Sequence, residues 1–360
     1  MTAKEISSQL IKDIADGMYA EAGRLPSETK LSESFGVSRM TLRVALDKLR
    51  QLSLIEKRNG AGSFLTKRAF RSSRLIGLVI PNFGKFSFFA EIKSEIERRA
   101  VHVGYRIKLI STQACETEAI VRDIRRKTRQ LAIDKAEGII FRPFISGTLD
   151  KANQEIISIF RHVEVPVVLI DSDVARPPKR SDCDLVAIDN IGAGRVIANH
   201  LHERGYRHVA FLVENKDPFA IANWGNRFFG LAGELALLGY EDSVRQLKFD
   251  PTDERAVQAL FRSRRQPDAI VCGNDEKAAL LLATLTRIGK HVPNDVAVVG
   301  FDDIPLARST VPPLTTISQP IKKLAATAFK TLLARIRYPN NDPREILLNA
   351  PLVVRRSTSP

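Results

Sequence analysis

Ile6, Leu10, Ile14 and Met18 recur at every fourth position, which predicts an opening helix with one apolar stripe ending near Gly17. In Gly23-Arg-Leu-Pro-Ser-Glu28, Pro26 restricts the residue before it, Ser27 can cap a helix, and Glu28 suits its positive start. A second short helix is therefore expected through Leu31 to Phe35. Gly36-Val37-Ser38 makes a tight turn, and Ser38 caps a third helix whose inward face is Leu42, Ala45, Leu46 and Leu49. After Leu52 the chain alternates through Leu54-Ile-Glu-Lys-Arg58, turns at Asn59-Gly60-Ala-Gly62 and returns through Ser63-Phe64-Leu65, the pattern of a hairpin. Three short helices and a hairpin predict a winged helix-turn-helix over residues 1–66.

Residues 67–74 are rich in charge and serine without periodicity, and read as a linker. From Leu75 the pattern changes. Apolar runs at Leu75–Pro81, Tyr105–Ser111, Gly138–Phe144, Pro166–Asp171, His208–Val213, Ala269–Cys272 and Val296–Phe301 predict strands. Helical stripes lie between them, such as Ile92, Ile96 and Ala100, or Ala278, Leu281, Leu282 and Leu285. Continuous apolar strands alternating with helices imply parallel sheets covered on both faces. The units exceed one comfortable sheet. The expected α/β architecture is a winged head followed by a two-lobed, doubly wound domain over 75–360. Lobe one is expected at about 75–187 and 317–340, and lobe two at about 188–316 and 341–360.

Charge sharpens the first of these readings. The 360 residues carry a net charge of +14, and residues 39–74 hold 10 Lys/Arg against 2 Asp/Glu. That segment spans the third helix and the wing, as expected of a surface that docks on phosphates. Its outward helix face offers Arg39, Met40, Thr41, Arg43 and Lys48, and the wing adds Lys57, Arg58 and Asn59. An α-helix fits the major groove, where arginine can bond guanine O6 and N7 together.

The strings Gly23-Arg-Leu-Pro-Ser-Glu28, Phe35-Gly-Val-Ser-Arg39-Met-Thr-Leu-Arg43-Val-Ala-Leu46 and Gly60-Ala-Gly-Ser-Phe64 resemble the DNA-binding domain of GntR-family bacterial transcription regulators. The resemblance implies that Ser38, Arg39, Thr41 and Arg43, with Gly60 and Gly62 of the wing, meet double-stranded operator DNA. Met40 stands where some relatives have a small polar residue.

Polar residues collect where the later strands end: Arg142, Asp171, Asn274-Asp275 and Asp302-Asp303. Ligands of doubly wound folds bind beyond the carboxyl ends of strands. Carboxylates accept hydroxyl protons, arginine and asparagine donate, and an aromatic face covers the apolar side of a sugar ring; Phe88, Phe89, Trp224 and Phe249 are candidates for that cover. Asp189, Asp275 and Asp303 are expected to cap helices instead. The strings Ile76-Gly-Leu-Val-Ile-Pro, Val186-Ala-Ile-Asp-Asn190, Arg227-Phe-Phe-Gly230 and Val292-Pro-Asn-Asp-Val-Ala-Val-Val-Gly-Phe-Asp-Asp303 resemble the effector domain of LacI/GalR regulators, which shares the periplasmic sugar-binding fold. The resemblance implies effector contacts from Arg227, Asn274 and Asp302 in one lobe and from Phe88, Phe89, Arg142 and Asp171 in the other, with Phe249 as stacking platform. The hinge helix usual after a LacI-type head has no counterpart here. A GntR-type head on this effector domain resembles the AraR-type arabinose repressors.

The resulting expectation is a cytoplasmic, homodimeric transcription regulator, a repressor released from DNA by a small sugar such as a pentose, with a purine or nucleoside as the alternative effector. A sugar-binding protein with no regulatory role is the second class. No catalytic residue, cofactor or metal is expected: the chain lacks a G-x-S-x-G elbow, a Walker loop and an H-E-x-x-H. Gly192-Ala-Gly194 is too short for a dinucleotide fingerprint, and His200 and His202 point to different helix faces. Cys115, Cys183 and Cys272 form neither a disulfide framework nor a metal spacing. No apolar run approaches the roughly 20 residues of a bilayer span, so no membrane partner is expected.

Overall fold

The computed structural model describes residues 1–15, 18–19, 21–52, 54–58, 61–66, 74–80, 87–112, 116–144, 150–175, 179–213, 222–240, 244–262 and 264–359. All of the expected linker at 67–74 except Arg74, together with Asn59, Gly60 and Cys115, lies outside the described residues.

The head has the predicted element order: α1 (Ala3–Ala15), α2 (Glu28–Phe35), α3 (Arg39–Gln51), β1 (Ile55–Arg58) and β2 (Gly62–Leu65). A reciprocal pair starts α1, with Thr2 N–H donating to Glu5 and Glu5 N–H donating to the Thr2 hydroxyl, so two orphan amides are satisfied at once. Ser27 caps α2 by accepting from Lys30 N, and Gly36 ends it at φ +61°, a conformation that costs other residues a Cβ clash. Ser38 then caps α3 two residues later. Ile6, Leu10 and Ile11 from α1 pack with Leu31, Leu42, Ala45, Leu46 and Leu49 into one core. Met18 departs from the predicted stripe: α1 ends at Ala15, and Met18 is 67% exposed. The wing strands pair antiparallel from Ile55 with Leu65 to Arg58 with Gly62. Gly23 and Leu25 extend that ribbon through backbone bonds with Leu65 and Ser63, which ties the wing to the segment entering α2.

The remainder builds two six-stranded sheets. The first has strands β3 (Leu75–Val79), β4 (Arg106–Ile110), β5 (Gly138–Phe141), β6 (Val167–Ile170), β7 (Asp184–Ile188) and β13 (Glu345–Leu348), in the order β4-β3-β5-β6-β7-β13. The second has β8 (Val209–Leu212), β9 (Arg245–Leu247), β10 (Ala269–Cys272), β11 (Ala297–Asp302), β12 (Thr315–Ser318) and β14 (Leu352–Val353), in the order β9-β8-β10-β11-β12-β14. Its pairs are parallel except the antiparallel edge β14. The connecting helices are α4 (Ser87–His102), α5 (Thr117–Ile133), α6 (Asp150–His162), α7 (Asn190–Glu203), α8 (Ala222–Leu237), α9 (Glu254–Leu260), α10 (Asp275–Arg287), α11 (Pro305–Ser309) and α12 (Ile321–Arg337).

All seven predicted strands are present, and β7, β9, β12, β13 and β14 are additional. The predicted stripes face inward, Ile92, Ile96 and Ala100 on α4 and Ala278, Leu281, Leu282 and Leu285 on α10 being buried. The chain divides into two compact units. One holds Met1–Arg142, Lys151–Leu169 and Ala325–Asp342; the other holds Pro143–Asp150, Ile170–Leu324 and Pro343–Pro360. The carboxyl-terminal stretch expected in lobe two falls in the second unit by compactness, while by hydrogen bonding β13 within it pairs with β7 in the first sheet.

Candidate functional site

The head presents one cationic face. Ser38 Oγ accepts from Thr41 N at 3.2 Å and lies 2.9 Å from Thr41 Oγ1, so the residue that starts α3 also orients a hydroxyl on its exposed first turn. Arg39 donates to Thr29 Oγ1 at 3.1 Å. Arg43 donates to Glu28 at 3.0 Å, and Lys57 of the wing lies 3.9 Å from the other oxygen of the same carboxylate. Glu28 thereby gathers cations from the recognition helix and the wing onto one side. Arg58 bonds Glu56 and its guanidinium lies 4.5 Å from the centre of the Phe64 ring. Gly62 begins β2 opposite Arg58. Met40 and Val44 are exposed on the same helix, at 73% and 56%. A methionine side chain can meet a thymine methyl but supplies no strong hydrogen bond.

The second unit contains an enclosed polar cluster built around one arginine. Arg227 on α8 is buried, donates through Nε to Asn190 Oδ1 at 2.9 Å and through Nη1 to the Gly273 carbonyl at 2.5 Å, and lies 3.4 Å from the centre of the Phe301 ring. Burial pulls its pKa down, while Asp302, Asp171 and Asp275 act to keep it charged. Small residues permit this placement. A Cβ on Gly194 of α7 would come within 2.2 Å of the Arg227 carbonyl oxygen, and one on Gly230 within 2.0 Å of the Ile191 carbonyl oxygen. Helices α7 and α8 therefore approach backbone to backbone, which brings Asn190 to Arg227. Gly192-Ala-Gly194 serves this packing, in keeping with its reading as a helix opening.

Two carboxylates frame the guanidinium. Asp302, at the end of β11, is pushed up to about 6 by burial, opposed by the charge of Arg227; Gln319 donates to it at 2.6 Å. Asp171, after β6, accepts from Asn223 Nδ2 at 3.0 Å, and Ser172 donates to the Asn223 carbonyl oxygen at 3.0 Å. Their φ values are +116° and +76°, in a region L-residues enter at a cost of about 1–3 kcal/mol. Such strain at two strand ends aims side chains where an ordinary turn would not.

Of the three predicted helix caps, Asp189 alone behaves as one, accepting from Gly192 N at 2.8 Å. Asp275 is instead the first residue of α10, buried, and bonded to Thr316 Oγ1 at 2.6 Å and Ile304 N at 2.9 Å; burial pushes it up to about 7. Asn274 is the cap, its Oδ1 accepting from Lys277 N at 2.9 Å. Asp303 pairs with Arg355 at 2.6 Å. The reason is local: β11 ends in a φ-positive Asp pair, so the next helix begins after Ile304 without a side-chain cap.

Among the aromatic candidates, Trp224 packs on the core of the second sheet, and a Cβ on Gly273 would touch its indole at 2.7 Å. Phe249 follows β9 and is partly buried against the core cluster on the other face of the second sheet. In the first unit Phe88 and Phe89 lie with ring centres 4.1 Å apart, and Arg142, just after β5, is buried with its guanidinium 4.9 Å from the centre of the Phe89 ring. Sequence reasoning did not select Asn190, Asn223 and Gln319 as site residues. Asn190 ends one of the motifs that carry the effector-domain resemblance; Asn223 has no such signal. His200 and His202 bond Thr358 and Tyr240 separately, and no group of three His, Cys, Asp or Glu fit for a metal occurs among the described residues.

A cationic winged helix-turn-helix joined to an effector-binding domain with two parallel sheets defines the class: a DNA-binding transcription regulator. Residues 2–65 match the bacterial regulatory proteins of the gntR family, and residues 198–358 match the periplasmic binding protein-like domain. The chain is homologous across nearly its whole length, 98% of it and 96% of the relative, to the arabinose metabolism transcriptional repressor of Geobacillus stearothermophilus, at 26% identity. It is 27% identical to the HTH-type transcriptional repressor PurR of Vibrio atlanticus (strain LGP32), over 80% of this chain and 81% of that one. A solved LacI family transcriptional regulator from Enterococcus faecalis V583 with bound ribose is 26% identical, with a TM-score of 0.64, covering 79% of this chain and 99% of the other. The head and the effector domain thus match two different family models, as the sequence motifs imply.

Proposed function

We propose that the chain is a repressor that binds a palindromic operator as a homodimer and leaves it when a small sugar occupies the effector domain. The observation that carries the sugar reading is the buried Arg227, held by Asn190 and Gly273 between Asp302 and Asp171. A fixed donor flanked by two strong acceptors suits vicinal hydroxyls, which both donate and accept. Phe88, Phe89, Trp224 and Phe249 supply apolar faces for the ring, Arg142 and Asn274 supply further donors, and no residue takes a catalytic role. The solved relative with bound ribose and the arabinose-metabolism repressor support the same class of effector. Ser38, Arg39, Thr41 and Arg43, with Lys57, Arg58, Asn59, Gly60 and Gly62 of the wing, are assigned to DNA. The domains are assigned as residues 1–66, a linker at 67–74 and an effector domain at 75–360.

No helix among the described residues is long and apolar enough to cross a membrane. We assign this DNA-binding repressor to the cytoplasm.

Linkage makes the proposal testable. If sugar weakens operator binding by a given factor, operator must weaken sugar binding by the same factor. Titrating L-arabinose, D-ribose and hypoxanthine into the full chain, with and without operator duplex, reads both sides. Equal affinities with and without DNA for every compound reject ligand-coupled repression. A response to hypoxanthine alone replaces the sugar by a purine, the reading that the similarity to PurR favours.

A further inference from the structure

The amino ends of β8, β9 and β10 enclose a second cavity, of about 270 Å³, away from the strand ends that carry Asp302 and Asn274. Arg207, Arg245 and Arg265 line it together with Tyr240, over an apolar floor that includes Leu235 and Val244. Among the described residues that line it there is no carboxylate. Arg207 is held in place: its Nη1 donates to the Tyr240 hydroxyl at 3.1 Å, and its guanidinium lies 5.6 Å from the centre of that ring. The Tyr240 hydroxyl spends its own proton on the Tyr206 carbonyl at 2.6 Å, so it faces Arg207 as an acceptor. The neighbouring acid, Asp268, is engaged through both oxygens by the backbone amides of Arg207 and His208, at 2.6 and 2.9 Å. Its charge serves to fix the strand entry.

We propose that this cavity is a second small-molecule site, taking a phosphomonoester of a small metabolite. Guanidinium groups match phosphate oxygens in two-point geometry and bear less hydration than ammonium groups, so three of them around one cavity select a dianion over a neutral sugar. The apolar floor gives the ester's carbon body a surface that inorganic phosphate cannot use. The cavity is smaller than the roughly 300–1,000 Å³ of pockets for drug-sized ligands, which sets the size of the occupant. β10 connects this site to the effector residues: Pro267 lines the cavity before the strand, and Gly273 and Asn274 follow it. The site would let a phosphorylated metabolite bind at the far end of a strand that also carries effector residues. It does not depend on the sugar reading above.

The test uses the full chain and D-glucose 6-phosphate, with D-glucose, inorganic phosphate and sodium chloride at matched ionic strength as companions, followed by calorimetry and thermal shift. The expected result is saturable binding of D-glucose 6-phosphate, weakened roughly tenfold in Arg245→Gln and less in Arg245→Lys, which keeps charge and loses the fork. Arg43→Ala leaves that affinity unchanged, which separates the cavity from phosphate attraction to the DNA-binding face. Equal affinity in wild type and Arg245→Gln overturns the site, as does a shift that sodium chloride reproduces. Inorganic phosphate binding as tightly as the ester overturns the assignment to a metabolite. Both residue-245 substitutions lie on an exposed side chain, and an unfolding midpoint unchanged from wild type checks that the effector domain of each variant is intact.

Discussion

The two polar surfaces of this regulator use arginine in opposite ways. Arg43 in the head is exposed, paired with a partly exposed Glu28, and sits in water where such a pair contributes little. Arg227 in the effector domain is 5% exposed and surrounded by carboxylates, a carbonyl and an aromatic ring. The first can exchange Glu28 for a phosphate or a base edge at small cost, and its binding is expected to weaken steeply with salt. The second has been desolvated during folding, so a ligand meets a donor already in place. The difference teaches where each function is vulnerable: the head through its partners in solution, the effector domain through its own stability.

Removing Arg227 gives the largest expected effect. Arg227→Ala leaves Asp302 without the cation that favours its charged form, and breaking such a buried cluster costs about 3–5 kcal/mol. Thermal unfolding should show the loss in the effector domain, and calorimetry should show no sugar binding. Operator binding by the folded fraction should persist, because the guanidinium is outside the head. Loss of operator affinity at temperatures where the variant is folded would break the comparison.

Arg43→Ala comes next and runs the other way. If it makes a base contact, operator affinity falls by about 1–3 kcal/mol, while unfolding and sugar affinity stay as in wild type. An equal loss on random-sequence duplex would reduce Arg43 to a phosphate partner. Repeating the titration at several salt concentrations would then show the salt slope fall by about one, the change expected when one phosphate is no longer neutralised.

How legible these two regions were in the sequence follows from the same contrast. The head could be read almost completely, because capping serines, a Gly turn and exposed cations act within a few residues of one another. Met18 failed because it follows the Gly17 helix stop that the sequence itself offers, and fourfold spacing was carried past that stop. In the effector domain the seven apolar strands were legible. β7 begins with a buried Asp184 and β12 contains Thr315-Thr316, polar residues bonded to partners far along the chain, so hydropathy hid them. The site was half visible. Arg227, Asp171 and Asp302 stand out by type and place, whereas Asn190 reaches Arg227 only because Gly194 and Gly230 let two helices touch. Asp275 was misjudged as a cap, because the Thr316 hydroxyl that claims it is 41 positions away.

Asp275 also yields a pH signature of the buried cluster. Its folded pKa of about 7 lies above the ordinary carboxylate value, so between about pH 4 and pH 7 the folded state holds more protons than the unfolded one. Stability from this group is therefore greatest at low pH and is lost as pH rises through about 7. Asp302, pushed up to about 6, has the same sign. His200, buried, and His102, half-buried, are both lowered; they have the opposite sign and lose stability on acidification below their unfolded value. Comparing wild type with Asp275→Asn cancels those terms. From pH 5 to 7 the wild type should lose on the order of 1–2 kcal/mol more than the variant, read from unfolding midpoints. Parallel pH profiles would show that Asp275 titrates normally.

The finest test contrasts two caps. Ser38 and Asn274 each accept a backbone amide at a helix start, one in the head and one beside the effector cluster. Ser38→Ala should cost about 1 kcal/mol of head stability, with operator affinity falling because Thr41 loses its hydroxyl partner. Asn274→Asp keeps the acceptor toward Lys277 N, removes the side-chain amide donor and adds a negative charge at a helix start, where the helix dipole favours it. Its unfolding midpoint should stay close to wild type while sugar affinity falls by about 1 kcal/mol, the size of one hydrogen bond. If instead affinity is unchanged, Asn274 serves α10 alone, and the donor set in that half of the site contracts to Arg227 with its asparagine and glutamine neighbours.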